Sequence, residues 1–344
     1  MLSQPILQTT DSGLYCAAGD FYVDPRRPVD RAVTSHAHTD HARWGCRRYL
    51  AAAPSEHLLR MRMNENAEFQ FLPYGETITI GGVKISFHPA GHMLGSAQIR
   101  LEHQGQVAVV TGDYKLETDP TCQTWQPVKC HLLVTESTFG LPVYRWSPPE
   151  TIAADINQWW KESRDQDKCC VLYGYAVGKS QRLIASLDPS IGPIYCHGAV
   201  QKGNDAYRRS GVQLPETIYV GDIAGKHDWR GAMVVAVPSA HGSPWMKKFG
   251  RVSTAMASGW MAVRGARRRR SVDRGFILSD HVDWPSLMTA VEACAPQTTW
   301  VTHGYSAVVA RYLNEQGRDA IAIDNRSRGE DEEDTTAEIP EATS

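Results

Sequence analysis

No stretch of this chain approaches the roughly 18 consecutive apolar residues that a membrane span requires. The opening residues, Met1 to Thr10, carry neither the basic block nor the apolar block of a secretion signal. Both absences predict a protein that stays in the cytoplasm and meets no membrane. Disulfide and redox motifs are missing as well. None of the eight cysteines forms a C-x-x-C pair, and Cys169 and Cys170 are adjacent, a poor geometry for a bridge. The thiols therefore read as reduced and buried. There is no G-x-S-x-G elbow, which leaves serine-hydrolase chemistry without support. There is no internal repeat of the kind that builds a solenoid. A phosphate-binding loop is only approximated. Gly174-Tyr-Ala-Val-Gly178-Lys179-Ser180 has the setting of one, but three residues separate its glycines where that loop needs four.

What is present is an ordinary globular composition, 42% hydrophobic and 22% charged over 344 residues, enough for two domains. The net charge of −2 is unevenly spread. The stretch from Arg326 to Ser344 sets two arginines against seven acidic residues, a net of −5, which leaves +3 on the remainder. With Ile339 as its only large apolar residue, that tail is expected to be disordered. A mildly basic body is compatible with nucleic acid.

The first part of the chain, to about Arg145, is a succession of short strand-like runs, among them Phe21–Val23, Ala32–Thr34, Val83–His88, Val107–Thr111 and Leu132–Thr135. At Ser147-Pro-Pro-Glu150 the texture changes. That run reads as a capping box, with Ile152, Ile156, Trp159 and Trp160 giving the following helix an apolar face. Strand and helix then alternate until the run of arginines, after which strands return, beginning with Phe276–Ser279. The simplest organisation is an α/β domain of residues 1–145 and 266–325 with a second α/β domain, residues 146–265, inserted into it.

The strongest chemical signal is His36-Ala-His38-Thr-Asp40-His41. It follows a short apolar run, so it lies at a strand end. On an extended segment His36 and His38 point the same way. A helix beginning at Asp40 and His41 would turn those two back toward the same point. Imidazole and carboxylate suit zinc, manganese or iron, and imidazole-rich sites lean to zinc. His92, in Gly91-His-Met-Leu-Gly95, and Asp113, in Thr111-Gly-Asp, are single polar residues at strand ends beside glycine, where backbone can approach an ion closely. Asp24 is a further strand-end carboxylate, suited to orienting a ligand histidine. Arg264, Arg267, Arg268, Arg269, Arg270 and Arg274 form a basic run fit to track a phosphate backbone without reading sequence. Lys179, at a helix start, could hold one substrate phosphate. Trp245 and Trp260 could stack bases.

These residues carry a resemblance. H-x-H-x-D-H, with a preceding strand-end Asp and a later His and Asp, resembles the metallo-β-lactamase superfamily. Thr135-Glu136-Ser-Thr-Phe-Gly140, Leu278-Ser-Asp-His281-Val-Asp283 and Val301-Thr-His303-Gly304 resemble the motifs of its β-CASP nucleases. Gly19-Asp-Phe-Tyr-Val-Asp-Pro25, Ser258-Gly-Trp-Met261 and the run from Arg264 to Gly275 are similar to the bacterial ligase-associated DNA exonucleases, relatives of the interstrand-crosslink-repair and Artemis nucleases. The likeness covers nearly all of residues 10–323.

It implies an αββα sandwich with an inserted β-CASP-like cap. It also implies a cytoplasmic, 5′-end-directed DNA exonuclease of DNA repair, using a hydroxide bridging two divalent metals about 3.5–4 Å apart. The metals would be zinc, with manganese the alternative. His36, His38, His92 and Asp113 would hold one metal, and Asp40, His41, Asp113 and His303 the other. Asp40 would orient the nucleophile, His281 would protonate the leaving alkoxide, and Glu136 would hold His281 or a ligand. Expected partners are DNA, single-stranded or at 5′ ends, and by association an ATP-dependent DNA ligase, a helicase and a phosphoesterase. His303 departs from the DNA-cutting crosslink-repair pattern and matches RNA-cutting members, which keeps an RNA-processing nuclease as the alternative. A thioester or lactam hydrolase fits the same metals but not the basic run, and a non-catalytic binding subunit would have lost ligands.

Overall fold

The computed structural model describes residues 5–63, 66–263 and 271–323, so Arg264, Arg267, Arg268, Arg269, Arg270 and the acidic tail lie outside the described residues. The chain divides into two compact units. Of the described residues, one contains those up to Arg145 and His281–Ile323, and the other contains those of Trp146–Asp280.

The first unit opens with six strands that form one sheet in chain order: β1 (Gln8–Thr10), β2 (Gly13–Cys16), β3 (Phe21–Val23), β4 (Arg31–Thr34), β5 (Arg48–Ala52) and β6 (Glu68–Leu72). The pairing is antiparallel from β1 to β3 and parallel from β3 to β6. A short helix, α1 (Glu56–Arg62), joins β5 to β6 and sets Arg60 over the rings of Phe69 and Phe71. Five further strands begin a second sheet: β7 (Thr77–Ile80), β8 (Val83–Pro89), β9 (Ala97–His103), β10 (Gln106–Val110) and β11 (Leu132–Glu136).

The second unit begins at α2 (Pro149–Arg164) and continues with β12 (Cys169–Tyr173), α3 (Lys179–Ser186), β13 (Ile194–Cys196), α4 (Gly198–Arg209), β14 (Ile218–Tyr219), β15 (Met233–Ala236), β16 (Val252–Ala257) and β17 (Arg274–Phe276). Its strands form one parallel sheet in the order β14-β13-β15-β12-β16-β17. A parallel sheet is buried on both faces, and the two-residue period of a strand divides its side chains between them. Cys170 and Leu172 pack with Ile152, Ile156 and Trp160 of α2 and Leu183 of α3. Cys169, Val171 and Tyr173 pack on the other face with Trp229 and Phe249. Adjacent Cys169 and Cys170 thus face opposite ways. All eight cysteines are free thiols, and all but Cys122 are buried.

Back in the first unit, α5 (Trp284–Cys294), β18 (Thr298–Thr302), α6 (Ser306–Glu315) and β19 (Asp319–Ala322) complete the second sheet, in the order β19-β18-β11-β10-β9-β8-β7. The inner faces of the two sheets interdigitate. Leu14, Phe21, Val23 and Val33 from the first share one core with Ile85, Phe87, Ile99 and Val110 from the second. On the outer face of the second sheet, Val109, Leu133 and Val301 pack against Trp284, Leu287 and Val291 of α5 and Val309 and Leu313 of α6. Among the described residues the unit is therefore two packed sheets with two helices outside one and the short α1 beside the other. No helix among them is long and apolar enough to cross a membrane.

Three local expectations are corrected. The capping box at Ser147 does not form. Pro148 is the cap, with no side-chain hydrogen bond, and Pro149 opens the helix. A residue before proline is kept out of the α region, so Pro148 cannot join the first turn and displaces Ser147 from the cap. No helix begins at Asp40 and His41. They lie in a turn closed by His41 N and Ala42 N donating to the carbonyl of His38, and α1 starts much later. The strand expected at Phe276–Ser279 is Arg274–Phe276, and it pairs with β16 in the second unit, which runs to Asp280. The first unit thus resumes at His281 and not at residue 266. Apolar alternation identifies a strand but not the sheet that receives it, which sets that boundary too early.

Candidate metal centre

His36, His38, Asp40 and His41 follow β4, His92 follows β8, Asp113 follows β10, Glu136 ends β11 and His303 follows β18. Every one of these residues belongs to the first unit, at or just beyond the carboxyl end of a strand. His281 is the first residue of that unit's returning segment. Two glycines allow the loops to close in. A β-carbon on Gly112 would lie 2.6 Å from Ser35 Oγ, and one on Gly91 would lie 2.3 Å from the carbonyl oxygen of Lys115.

Ligand-type atoms of His36, His38, His92 and Asp113 lie within 4.8 Å of one another. His92 Nε2 is 3.2 Å from His38 Nδ1, and Asp113 Oδ2 is 3.5 Å from His36 Nε2 and 3.8 Å from His92 Nε2. A second group joins His36, Asp40 and His41. His41 Nε2 is 3.5 Å from Asp40 Oδ2 and 3.4 Å from Asp113 Oδ2, so the Asp113 carboxylate touches both groups. His303 stands further back, its ring centroid 5.6 Å from that of His41. A cavity of about 40 Å³ adjoins this second group, lined by Asp24, Asp40, His41, Glu136 and His303. That is room for a water or a cation.

Which ring nitrogens face inward is set by outer hydrogen bonds. Asp24 accepts from Ser35 N at 2.7 Å, from Ser35 Oγ at 2.6 Å and from His41 Nδ1 at 2.8 Å. Because the Ser35 hydroxyl proton is committed to Asp24, its oxygen is left to accept from His36 Nδ1, 3.0 Å away. Both histidines then turn Nε2 inward. Those two Nε2 atoms, with Asp40 Oδ1 and His303 Nδ1, are buried without a hydrogen-bond partner. Buried polar atoms are rarely left so; Asp40, His41 and His303 line that cavity and His36 groups with Asp40 and His41, which fits a cation as the missing partner. The donor set of imidazole and carboxylate suits a divalent transition metal. Sequence reading did not find Ser35; a serine before the first histidine has no signal without the loop geometry.

Electrostatics agree with that reading. Burial, reinforced by His41 and His92, holds His36 well below the usual imidazole range, and burial beside His41 brings His303 down to about 4. Both are therefore neutral at neutral pH and able to donate a lone pair. His41 moves the other way. Burial disfavours its charge, but Asp113, Asp40 and Asp24 outweigh burial and raise it well above the ordinary value. Asp113 stays ionised, since His41, His281 and His36 overcome the cost of its burial. Without a cation, the carboxylates hold a proton on His41 that a cation would displace.

Glu136 and His281 form a second assembly. Glu136 accepts from His281 Nδ1 at 2.9 Å and from the backbone N–H of Tyr114 at 3.0 Å. His281 Nδ1 lies 4.0 Å from Asp113 Oδ2. His303 and Asp24 both sit in left-handed backbone, φ 57° and φ 43°. Such strain in non-glycine residues concentrates at functional sites.

Lys115, absent from the sequence reading, ties two of the loops together. Its side chain is fully buried. Nζ donates to the carbonyls of Gly91 and His92 and to Asp119 Oδ2, the last two at 3.0 and 2.9 Å. Lys115→Met would strand Asp119 and two carbonyls in the interior. Removing one member of a buried pair costs about 3–5 kcal/mol. Urea denaturation is expected to show a loss of that size, and a loss below ~1 kcal/mol would mean the pair is dispensable.

The remaining described candidate residues belong to the second unit. Lys179 is 1% exposed in the second unit, with Nζ 3.8 Å from Asp280 and 4.8 Å from the centre of the Tyr175 ring. Among the described residues Nζ has no hydrogen-bond partner. Arg274 is half-exposed over Phe276 and 4.0 Å from Glu162. Trp245 and Trp260 are half-buried.

The chain is similar in sequence to several known proteins. The chain is similar, at 34% identity over 90% of its length, to a protein of Opitutus terrae named as a probable DNA ligase, of which it spans 30%. It is similar at 27% identity to Endoribonuclease YSH1 of Gibberella zeae, over 54% of this chain and 23% of that protein. It is similar at 28% identity to the cleavage and polyadenylation specificity factor subunit 3 of Dictyostelium discoideum, over 33% of this chain and 15% of that one. The chain thus spans less than a third of each of these relatives. A crystal structure of a protein of unknown function from Enterococcus faecalis shares the fold with a TM-score of 0.57 at 12% identity, covering 87% of this chain and 80% of that one. No family model matches.

Proposed function

We propose that the protein is a metal-dependent nuclease of the metallo-β-lactamase fold with a β-CASP-like cap, cutting DNA backbone phosphodiesters from 5′ ends. The observation that carries this reading is that His36 Nε2, His41 Nε2, Asp40 Oδ1 and His303 Nδ1 are all buried and unpartnered, the first three within one group of ligand-type residues. His36, His38, His92 and Asp113 would hold one divalent ion, zinc by donor type, and Asp40, His41, Asp113 and His303 a second. Bound there, such ions would lower the pKa of a water and offset charge on the phosphoryl oxygens. Asp40 orients the attacking water. Attack on phosphorus in line with the departing oxygen breaks the P–O bond, and His281 Nε2 gives its proton to the leaving alkoxide while Glu136 fixes the ring.

The choice of DNA is supported by the relative named as a DNA ligase, whose chain contains a segment like this one within a much longer protein. That arrangement also supports an ATP-dependent DNA ligase as working partner. The relatives named as endoribonucleases favour a second reading, RNA processing at the same site. Matched DNA and RNA strands labelled at either end, digested with zinc or manganese, separate the two. A ladder from the 5′ end of DNA alone supports the first, internal cuts in RNA the second, and no cleavage of either contradicts both.

The arginine run supplies a separate test. Replacing Arg267, Arg268, Arg269 and Arg270 by alanine is expected to weaken DNA binding and to flatten its salt dependence. The log–log slope should fall by roughly 0.7 to 0.9 for each phosphate that is no longer neutralised. An unchanged slope would make the run a solvated loop.

A further inference from the structure

Ten tryptophans occur in the chain, and nine are buried or half-buried. Trp44 is 61% exposed. A lone exposed apolar side chain is common and needs no explanation by itself. What distinguishes this one is how rigidly it is held out, and where.

The segment leading to it is fixed by the turn in which Ala42 N donates to His38 O at 2.7 Å. The segment around it is pinned by Tyr49, a buried phenol whose hydroxyl donates to the carbonyl of Arg43 and accepts from Cys46 N at 3.0 Å. Burial pushes the Tyr49 phenol up, so it remains a neutral donor at working pH. Val29 secures the far side, its N–H reaching Cys46 Sγ at 3.5 Å and its carbonyl accepting from Arg47 N at 3.1 Å. Gly45, at φ 92°, makes the reversal that leaves the indole at the apex. A hydroxyl spent on bridging two backbone groups across the base of a loop, with an exposed indole at its tip, is a preorganised presentation.

Trp44 follows His41 by three residues, so their α-carbons are at most about 11 Å apart. Arg43, beside it, is exposed and makes no ion pair among the described residues. A large flat ring and an unpaired guanidinium therefore stand together a short distance from the histidine and aspartate cluster.

We infer that Trp44 and Arg43 form a stacking platform for a nucleobase of single-stranded nucleic acid next to the scissile phosphate. The base lies on the indole and Arg43 meets a flanking phosphate. The inference rests on the nuclease reading and adds to it the form of substrate. A base within a duplex has both faces occupied by its neighbours, so only a single strand or a frayed end can use the platform. Stacking is indifferent to base identity, since every base has a π-face.

The test measures binding of a fluorescein-labelled single strand with hydrolysis-resistant phosphorothioate linkages, by anisotropy, to wild type, Trp44→Ala and Trp44→Phe. All three are prepared with the same metal load, verified by elemental analysis. Stacking on one aromatic is worth about 1–3 kcal/mol per base, which is about 5- to 150-fold in Kd. Trp44→Ala is expected to weaken single-strand binding by that factor, Trp44→Phe to recover most of it, and the factor to be smaller on a blunt duplex of the same sequence. Equal single-strand affinity for Trp44→Ala and wild type would overturn the inference and leave the indole to a protein partner. An equal loss on single strand and duplex would overturn it too, as would no recovery with phenylalanine. If wild type cleaves neither DNA nor RNA, the nuclease reading itself fails, and the digestion ladders show that independently of any variant.

Discussion

His281→Ala is expected to retain the metals and a near-normal fold while losing roughly 10²- to 10⁴-fold in cleavage rate, the usual worth of general acid catalysis. The expectation follows from hydrogen bonding. Glu136 takes up Nδ1 of His281 at 2.9 Å and so fixes the ring, leaving Nε2 as the nitrogen proposed to carry the proton. The His36, His38, His92 and Asp113 group has its ligand atoms together without it. A nitrophenyl phosphodiester, whose leaving group scarcely needs protonation, should suffer much less than DNA. Elemental analysis separates the roles, because release of a metal by His281→Ala would make the residue a ligand. A further group joins Asp113, Glu136 and His281 within 4.8 Å, so that outcome has a concrete geometric form. Glu136→Gln should produce a smaller loss with the same signature, since it weakens the orientation of His281 and leaves the imidazole in place.

The largest effect is expected at Asp113. Its Oδ2 approaches His36, His41 and His92 at 3.4–3.8 Å, so one carboxylate serves both ligand groups. Asp113→Ala should release at least one metal and abolish most activity. Metal stabilisation of transition-state charge is worth several kcal/mol, or about 10³-fold and more in rate. The pH dependence follows from the raised affinity of His41 for its proton, which burial opposes and Asp113, Asp40 and Asp24 impose. A metal entering the second group must displace that proton, so metal affinity should fall as pH falls, and loading at neutral pH should release a proton to the buffer. Asp113→Ala removes one of the three carboxylates and should shrink that release. A titration in weakly buffered indicator solution reads both, and metal affinity independent of pH between about 6 and 8 would contradict the assignment.

Much of the centre was legible in the sequence because its residues are consecutive or sit beside glycine. His36 to His41 supply four ligand-type side chains in six positions, and a strand-end reading brings the first two to one side. Gly91 and Gly112 mark places where a β-carbon would collide, which is why His92 and Asp113 could be singled out from other loop residues. The turn at Asp40 was not legible. Apolar spacing after a strand cannot distinguish a tight turn closed on His38 O from the first turn of a helix. Ser35 and Lys115 escaped for a different reason. Their roles consist of hydrogen bonds to segments 11 and 23 or more positions away, which no local pattern encodes. The misplacement of β17 has the same origin, since its pairing with β16 bridges a segment outside the described residues. The setting of Lys179 was not legible either, since its motif says nothing of the carboxylate of Asp280, 3.8 Å from its Nζ and a hundred residues on.

The most direct measurement is the metal content of fully active protein, taken with the response of its nuclease activity to chelation and restoration. The account predicts about two divalent transition-metal ions per chain, loss of DNA cleavage when a chelator removes them, and recovery on adding back zinc or manganese. Active protein that contains no transition metal and cleaves DNA undiminished in chelator would contradict it.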